Sequence, residues 1–162
     1  MTIKRLMTMT LAVAAFVFSM SSCSKSDDEP EVAVATQVAG SYTGNEIFMV
    51  DNEESSNETK TYEFAKASDV SIDMNVPEVG MGMMTIPSLS AKGITLSKDG
   101  NTIKGRLVSY EGTVKGADGT EKAYTITDLT ALFSDKTVVV TYTLKYGKMP
   151  FPFTGSFTGT RK

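Results

Sequence analysis

The sequence predicts an all-β domain, most specifically an eight-stranded antiparallel up-and-down barrel. From Gly40 onward, short runs of alternating apolar and polar residues are separated by turn residues, and no run has the 3.6-residue period of an amphipathic helix. Eight such runs follow one another, and nearly all of the connections between them are short. Short connections favour a meander of sequential strands, and closing eight strands into a barrel removes their exposed edges. A β-sandwich of the same strands is the alternative.

The composition limits the chemistry that the domain can perform. The 162 residues include no His and one Cys, which removes the commonest general base and the commonest zinc ligand and rules out an internal disulfide. The sequence also has no Gly-rich phosphate loop and no Ser–His pair. We therefore predict a protein that is not an enzyme and that holds no cofactor and no metal. After Ser22 the chain has 14 basic and 19 acidic residues, a net charge of −5, which argues against a nucleic-acid partner.

Residues 1–22 are predicted to be the signal peptide of a lipoprotein. Lys4 and Arg5 precede an apolar stretch, Leu6–Met20, that is too short to span a membrane as a helix. The following residues, Met20-Ser21-Ser22-Cys23, resemble a bacterial lipobox, which implies cleavage before the cysteine and acylation of its thiol and amine. Ordinary signal cleavage near a chance cysteine and a retained membrane anchor are the alternatives.

Residues 23–38 are predicted to be the acylated Cys23 and a flexible tether, and residues 39–162 the barrel domain. Several acyl chains on one cysteine make the anchoring to a membrane effectively permanent. The acidic run Asp27-Asp28-Glu29 resembles the signal that sends lipoproteins of Bacteroides-type bacteria to the outer face of the outer membrane. A tether without a sorting role is the alternative. We therefore expect a lipid-anchored outer-membrane protein, exposed either to the cell surface or to the periplasm.

The strands are predicted from period-two alternation, which places alternate side chains on opposite faces of a sheet. The pattern is clearest in the last two runs, which the turn Gly147–Pro150 joins into a hairpin. A slip of phase near Thr127-Asp128 predicts a bulge or a bend, and the polar stretch 51–58 is predicted to be a loop. The predicted strands cover residues 41–50, 59–66, 69–76, 85–97 with an interruption, 102–114, 121–133, 136–146 and 151–160.

The two ends of the predicted domain resemble those of a known group of barrels. Gly40-Ser41-Tyr42-Thr43-Gly44 and the C-terminal Phe157–Lys162 look like the calycin-like lipoproteins of Bacteroides-type bacteria and, more distantly, like lipocalins. Lipocalins begin their first strand with Gly-x-Trp and stack a late Arg over that Trp. The resemblance implies that Tyr42 takes the place of the Trp and that Arg161 is its partner, in a cation–π contact that closes one end.

The same resemblance implies a ligand, a small apolar or amphipathic molecule held in a monomeric barrel. Ala, Gly and Thr interrupt the inward runs, which slightly favours a cavity over a solid core. The Met-rich stretch 79–84 is flexible enough to serve as a lid at the mouth, although packing under the loop or a copper(I) site would also use methionine. A solid barrel that contacts a protein or a glycan through its loops is the alternative function. The predicted ligand contacts are Met81, Met83, Met84, Tyr142, Leu144 and Phe153.

Overall fold

The computed structural model describes residues 31–81 and 84–162, and Val32–Lys162 form one compact unit. The predicted signal peptide, Cys23, the tether as far as residue 30, and Met83 lie outside the described residues. The elements in chain order are α1 Val34–Val38, β1 Gly40–Val50, β2 Glu53–Ser68, β3 Ser71–Val76, β4 Val79–Met81, β5 Met84–Ile86, β6 Leu89–Asp99, β7 Thr102–Lys115, β8 Glu121–Ser134, β9 Thr137–Tyr146 and β10 Phe153–Arg161.

Eight of the strands form a closed antiparallel barrel, so the predicted fold class is confirmed over the alternative sandwich. The order around the barrel is β1-β10-β9-β8-β7-β6-β3-β2, in which each barrel strand lies beside its neighbours along the chain. The first and last strands complete the ring, with a register that runs from Tyr42 opposite Arg161 to Val50 opposite Phe153. Each of the eight predicted strands overlaps one of these barrel strands.

Within the predicted barrel domain, the structure differs from the prediction at two places. The predicted strand 85–97 is two elements, because β5 pairs with β4 in a separate two-stranded sheet and only β6 belongs to the barrel. The predicted polar loop 51–58 is mostly strand, because Asp51 and Asn52 make a tight turn with positive φ angles of 49° and 65° and β2 then starts at Glu53. Asn and Asp tolerate this left-handed conformation, which suits two-residue hairpins.

The predicted bulge lies where the phase of the sequence slips. The pairing of β8 with β9 shifts between Thr127 and Thr130, and Asp128 has a positive φ of 54°. The shift keeps the apolar side chains on the inner face along the whole strand, with Tyr124 and Ile126 buried before it and Leu129 buried after it. This agrees with the use of bulges to bend barrel strands.

Large side chains pack the interior of the barrel. Tyr62 stacks on Phe157 with ring centroids 4.1 Å apart, and Phe48 lies 6.1 Å from Tyr142 in an edge-to-face arrangement. Gly155 pairs with Tyr142 across β10 and β9, and a Cβ atom at this glycine would overlap the tyrosine ring. Because Gly155 of β10 has no side chain, the aromatic ring of Tyr142 from β9 fits beside it.

Helix α1 packs on the end of the barrel where β1 begins and β10 ends. Its Ala35 and Val38 are buried, and the amide of Ala35 donates to the carbonyl of Asp69 at 3.1 Å. Residues 34–38, which the sequence analysis assigned to a flexible tether, are therefore ordered against the barrel in the structure. Burial of these two apolar side chains, together with hydrogen bonds between the helix and the barrel, opposes the loss of chain entropy.

Candidate ligand-binding site

The β4–β5 hairpin lies at the end of the barrel opposite to helix α1. We call this end the mouth and define it by Val50, Val76, Leu89, Tyr146 and Phe153. The hairpin follows β3 and precedes β6 directly, and Val76 pairs with Leu89 across those two strands. One residue on each hairpin strand, Val79 and Ile86, is 1% exposed and packs into the core. The hairpin therefore covers part of the mouth, and its role as a lid stays a prediction.

A cavity of about 240 Å³, which we call the apolar cavity, opens at the mouth. Six of its seven lining residues are apolar, and Ser55 is the exception. Two of the predicted ligand contacts, Met84 and Phe153, belong to this wall. The lining residues are Val50, Ser55, Met84, Met149, Pro150, Phe151 and Phe153.

A larger cavity of about 540 Å³, which we call the polar cavity, lies beside it. Met84, Met149 and Pro150 line both cavities, so the two are adjacent and share a wall. The remaining lining residues come from the β7–β8 turn and the start of β8, from the end of β9 and the β9–β10 connection, and from β5. They are Thr85, Gly116, Ala117, Asp118, Lys122, Tyr146, Gly147 and Lys148.

An ion pair between Asp118 and Lys122 lines one side of the polar cavity. The Nζ atom of Lys122 lies 2.8 Å from Oδ2 of Asp118, and Thr120 donates to Oδ1 from its hydroxyl at 2.7 Å and from its amide at 3.0 Å. The hydrogen bond from Lys122, followed by those from Thr120, holds the pKa of Asp118 well below its ordinary value. The same bond raises the pKa of Lys122, so both groups are charged at neutral pH.

Tyr146 contributes a hydroxyl to the polar cavity. Its side chain is 6% exposed, and its hydroxyl has no hydrogen-bond partner within residues 31–81 and 84–162. Burial raises the pKa of this phenol, with a smaller opposing effect of Lys122. The group is therefore a neutral donor at physiological pH.

The interior also contains a buried polar network that the sequence analysis did not identify. Glu46 is 1% exposed, and its Oε2 accepts a hydrogen bond of 2.5 Å from the hydroxyl of Tyr62. The hydroxyls of Tyr62 and Tyr142 are 2.9 Å apart, and because Tyr62 gives its single hydrogen to Glu46, Tyr142 donates to Tyr62. Burial raises the pKa of Glu46, and the bond from Tyr62 offsets part of that effect.

The second oxygen of Glu46, Oε1, is buried and has no hydrogen-bond partner among the described residues. A buried carboxylate oxygen without a donor is unfavourable, which is the physical reason that burial favours the protonated acid. The alternation of β1 could have revealed this group, because Tyr42, Glu46 and Phe48 are spaced by even numbers and therefore share one face.

The remaining predicted ligand contacts lie in different places. Tyr142 and Leu144 are 2% and 0% exposed and belong to the packed interior, and neither of them lines a mouth cavity. The physical reason is that aromatic and branched side chains from all sides meet at the barrel axis. Met81 pairs with Met84 across the hairpin, but only its backbone is described, and Met83 is outside the described residues.

Tyr42 and Arg161 are cross-strand partners at the closed end, and both bind helix α1. The Tyr42 hydroxyl donates to the carbonyl of Val38 at 3.1 Å, and the Arg161 guanidinium donates to the carbonyl of Gln37 at 2.7 Å and to that of Ala39. The carbonyls at the end of a helix have no partner within it, and a cation there is favourable. The cation–π contact between the two side chains stays a prediction.

Two further observations concern membranes and metals. Over residues 31–81 and 84–162, the chain has no helix of the length and apolarity needed to cross a bilayer. In the same part of the chain, acidic side chains do not gather in groups of three or more that could hold a metal ion.

The fold and these contacts define a closed eight-stranded barrel with a packed interior and two adjoining cavities at one end. Among solved structures, the chain is similar to the crystal structure of a "putative outer membrane protein" from Bacteroides fragilis. The two are 16% identical with a TM-score of 0.64, and the match covers 80% of this chain and 53% of that chain. This chain thus spans about half the length of that protein, and at this identity the likeness shows the fold alone. No family model and no curated protein match the chain.

Proposed function

We propose that this protein is a lipid-anchored protein of the cell envelope that binds a small amphipathic molecule at the mouth of its barrel. The observation that carries the proposal is the pair of cavities that meet at Met84, Met149 and Pro150, one with apolar walls and the other with the Asp118–Lys122 ion pair. Concave sites with mostly apolar walls and a few polar groups are typical of small-molecule binding.

In this proposal the ligand lies at the mouth of the barrel and not in its interior. The packed aromatic rings around Tyr62 and Phe157 occupy the axis, so the loops at the mouth supply the accessible apolar surface. Phe151 is 54% exposed and borders the apolar cavity, which is consistent with a surface that a ligand covers.

The envelope location is part of the same proposal. It is supported by the lipobox-like residues that end at Cys23, by the acidic run that follows them, and by the fold shared with the Bacteroides fragilis protein. Membership of the calycin-like lipoproteins has the same support, from the resemblance of the two chain ends and from the eight-stranded barrel. A binding role without catalysis fits a chain that has no His.

Binding of a neutral fluorescent probe tests the site. The mature chain from residue 23, with Ser in place of Cys23, avoids detergent, and the absence of Trp keeps the optical background low. We expect N-phenyl-1-naphthylamine to gain fluorescence on binding, and Met149→Asp to weaken its binding by about tenfold or more, because the new carboxylate lies in the apolar wall.

Val139→Asp is the matched control for that substitution. Val139 is 42% exposed on the outer face of β9 and lines neither mouth cavity, so the same change from apolar to acidic should leave probe binding intact. Equal probe binding by Met149→Asp and wild type would refute binding at the mouth.

The packed interior favours a second candidate function, in which the loops contact a protein or a glycan. Native mass spectrometry of protein purified without detergent separates the two candidates. A bound mass of a few hundred daltons supports the first. Bare protein together with a probe that does not bind supports the second.

A further inference from the structure

We propose that the ligand is an anionic amphiphile, an apolar body in the apolar cavity that carries a carboxylate, sulfate or sulfonate bound in the polar cavity by Lys148, Lys122 and Tyr146. This inference rests on the proposed function, because it assigns the charge of a ligand that occupies both cavities.

The apolar cavity determines which part of the ligand it can hold. The hydroxyl of Ser55 is the one polar side-chain group of its wall, so a charged head group placed there would lose its hydration with little in return. The apolar part of the ligand therefore belongs in this cavity, and the head group belongs beyond Met84 and Met149, where the polar cavity begins.

The charges of the polar cavity favour an anion over a cation. Among the described residues Asp118 is its one acidic lining residue, and both of its oxygens already accept hydrogen bonds, from Lys122 and from Thr120. A second cation would compete for an acceptor that is already neutralised. Lys148, in contrast, makes no ion pair within the described residues and leaves the lining with one unbalanced positive charge.

The hydrogen-bonding groups of the polar cavity also favour a negatively charged head group. Lys122 uses one of its three hydrogens on Asp118, Lys148 has all three available, and the Tyr146 hydroxyl has no partner in the described part of the chain. The site thus offers more donors than acceptors, which matches a carboxylate or a sulfate, since each has only acceptors.

The backbone that presents these donors is fixed. Gly147 has a positive φ of 57°, its amide donates to the carbonyl of Ala123 at 2.8 Å, and the amide of Met149 donates to the carbonyl of Tyr146 at 3.3 Å. Lys148 therefore extends from a turn that β8 and β9 hold in place, next to the wall that both cavities share.

Displacement of the bound probe by three molecules with one chain and different heads tests the charge. Below their micelle concentrations, we expect dodecanoate to displace the probe at about tenfold lower concentration than dodecanol, because its head adds charge-assisted hydrogen bonds. Dodecyltrimethylammonium should be weaker than dodecanol. Acetate, which has the head without the chain, should not displace the probe.

Lys148→Gln should weaken dodecanoate by about fivefold, the size expected for an exposed charge pair, and leave dodecanol unchanged. Lys145→Gln removes the same charge from an exposed position on β9 that lines neither cavity, and should change nothing. Equal displacement by dodecanoate and dodecanol, or a preference for the cation, overturns the anionic head while the binding of amphiphiles at the mouth stands. A probe that does not bind at all overturns both.

Discussion

The carboxyl side chain of Glu46 lies in the packed interior of the barrel and has one oxygen without a hydrogen-bond partner among the described residues. The groups that face it are Tyr62 on β2 and Tyr142 on β9, with the charges of Lys60 and Glu58 farther along β2. Its carboxyl thus accepts one hydrogen bond, from Tyr62 to Oε2, and burial makes its ionisation oppose folding.

We expect the stability of the protein to depend on pH through this residue. A carboxyl whose pKa is raised on folding binds its proton more tightly in the folded state. Its stabilising contribution is complete below its pKa in the unfolded chain, about 4.5, and is lost as the pH rises through the higher pKa of the folded state. Relative to Glu46→Gln, which cannot ionise, wild type should therefore become less stable as the pH rises.

Urea unfolding of both proteins between pH 4.5 and about pH 8 measures this difference. Subtracting the two curves of unfolding free energy against pH removes the contributions of the other carboxyls, because these titrate in both proteins. Parallel curves over the whole range would mean that Glu46 titrates normally, contrary to the effect of its burial.

Two side chains, those of Tyr42 and Arg161, hold helix α1 against the barrel. The resemblance to lipocalins pairs the same two side chains with each other. Tyr42 and Arg161 bind the carbonyls of three neighbouring residues at its C-terminal end, Gln37, Val38 and Ala39. The two side chains are therefore coupled through the last turn of the helix, whether or not they also stack.

We expect Tyr42→Phe to reduce the free energy of unfolding by about 1 kcal/mol, the usual net value of a hydrogen bond, and Arg161→Gln to reduce it by about 2 kcal/mol, because a charged donor to two carbonyls is lost. The loss in the double variant should be smaller than the sum by about 0.5 kcal/mol or more, because either change alone already loosens the helix end. Tyr42→Phe keeps the aromatic ring, so this coupling reports on the helix and not on a cation–π contact. Denaturant titrations measure it.

The control for this cycle is Arg106→Gln, which removes an exposed Arg from β7, far from α1 in the sequence. Its effect should add to that of Tyr42→Phe without coupling. Additive losses for Tyr42→Phe and Arg161→Gln would show that the two side chains stabilise the protein independently.

Most strands could be predicted because each barrel strand has one face in solvent and one in the core. Polar and apolar residues therefore alternate along its sequence. The bulge at Thr127–Thr130 was predictable for the same reason. The start of β2 was not, because residues 53–58 are polar on both faces and lack the alternation. Neither was α1, whose five residues are too few to show a helical period.

The cavities could be predicted only in part, because they depend on contacts between distant turns. Met84 and Phe153 were expected from their composition and position, and both line the apolar cavity. Met149 and Pro150 had the sequence signature of a turn, and nothing local indicates that the hairpin after β3 comes to lie against them. The ion pair at Asp118 similarly belongs to a different turn.

We expect the acyl anchor predicted at Cys23 to determine where the barrel works. Labelling of cells with a palmitate analogue is expected to mark the wild-type protein and to leave Cys23→Ser unlabelled, because the chain has no other cysteine. Immunoblots confirm equal amounts of the two proteins. Equal labelling of both, or none of either, would contradict the anchor.

The closure of the ring has a consequence for how the chain reaches its native state. The β1–β10 ladder joins residues as far apart as Tyr42 and Arg161, so its loop-closure entropy is the largest of any strand pair in the barrel. Until β10 docks, the backbone hydrogen-bonding groups of β1 and β9 are open on one side and can pair with other chains. We therefore expect ring closure to be a late step of folding and the step at which self-association competes most strongly.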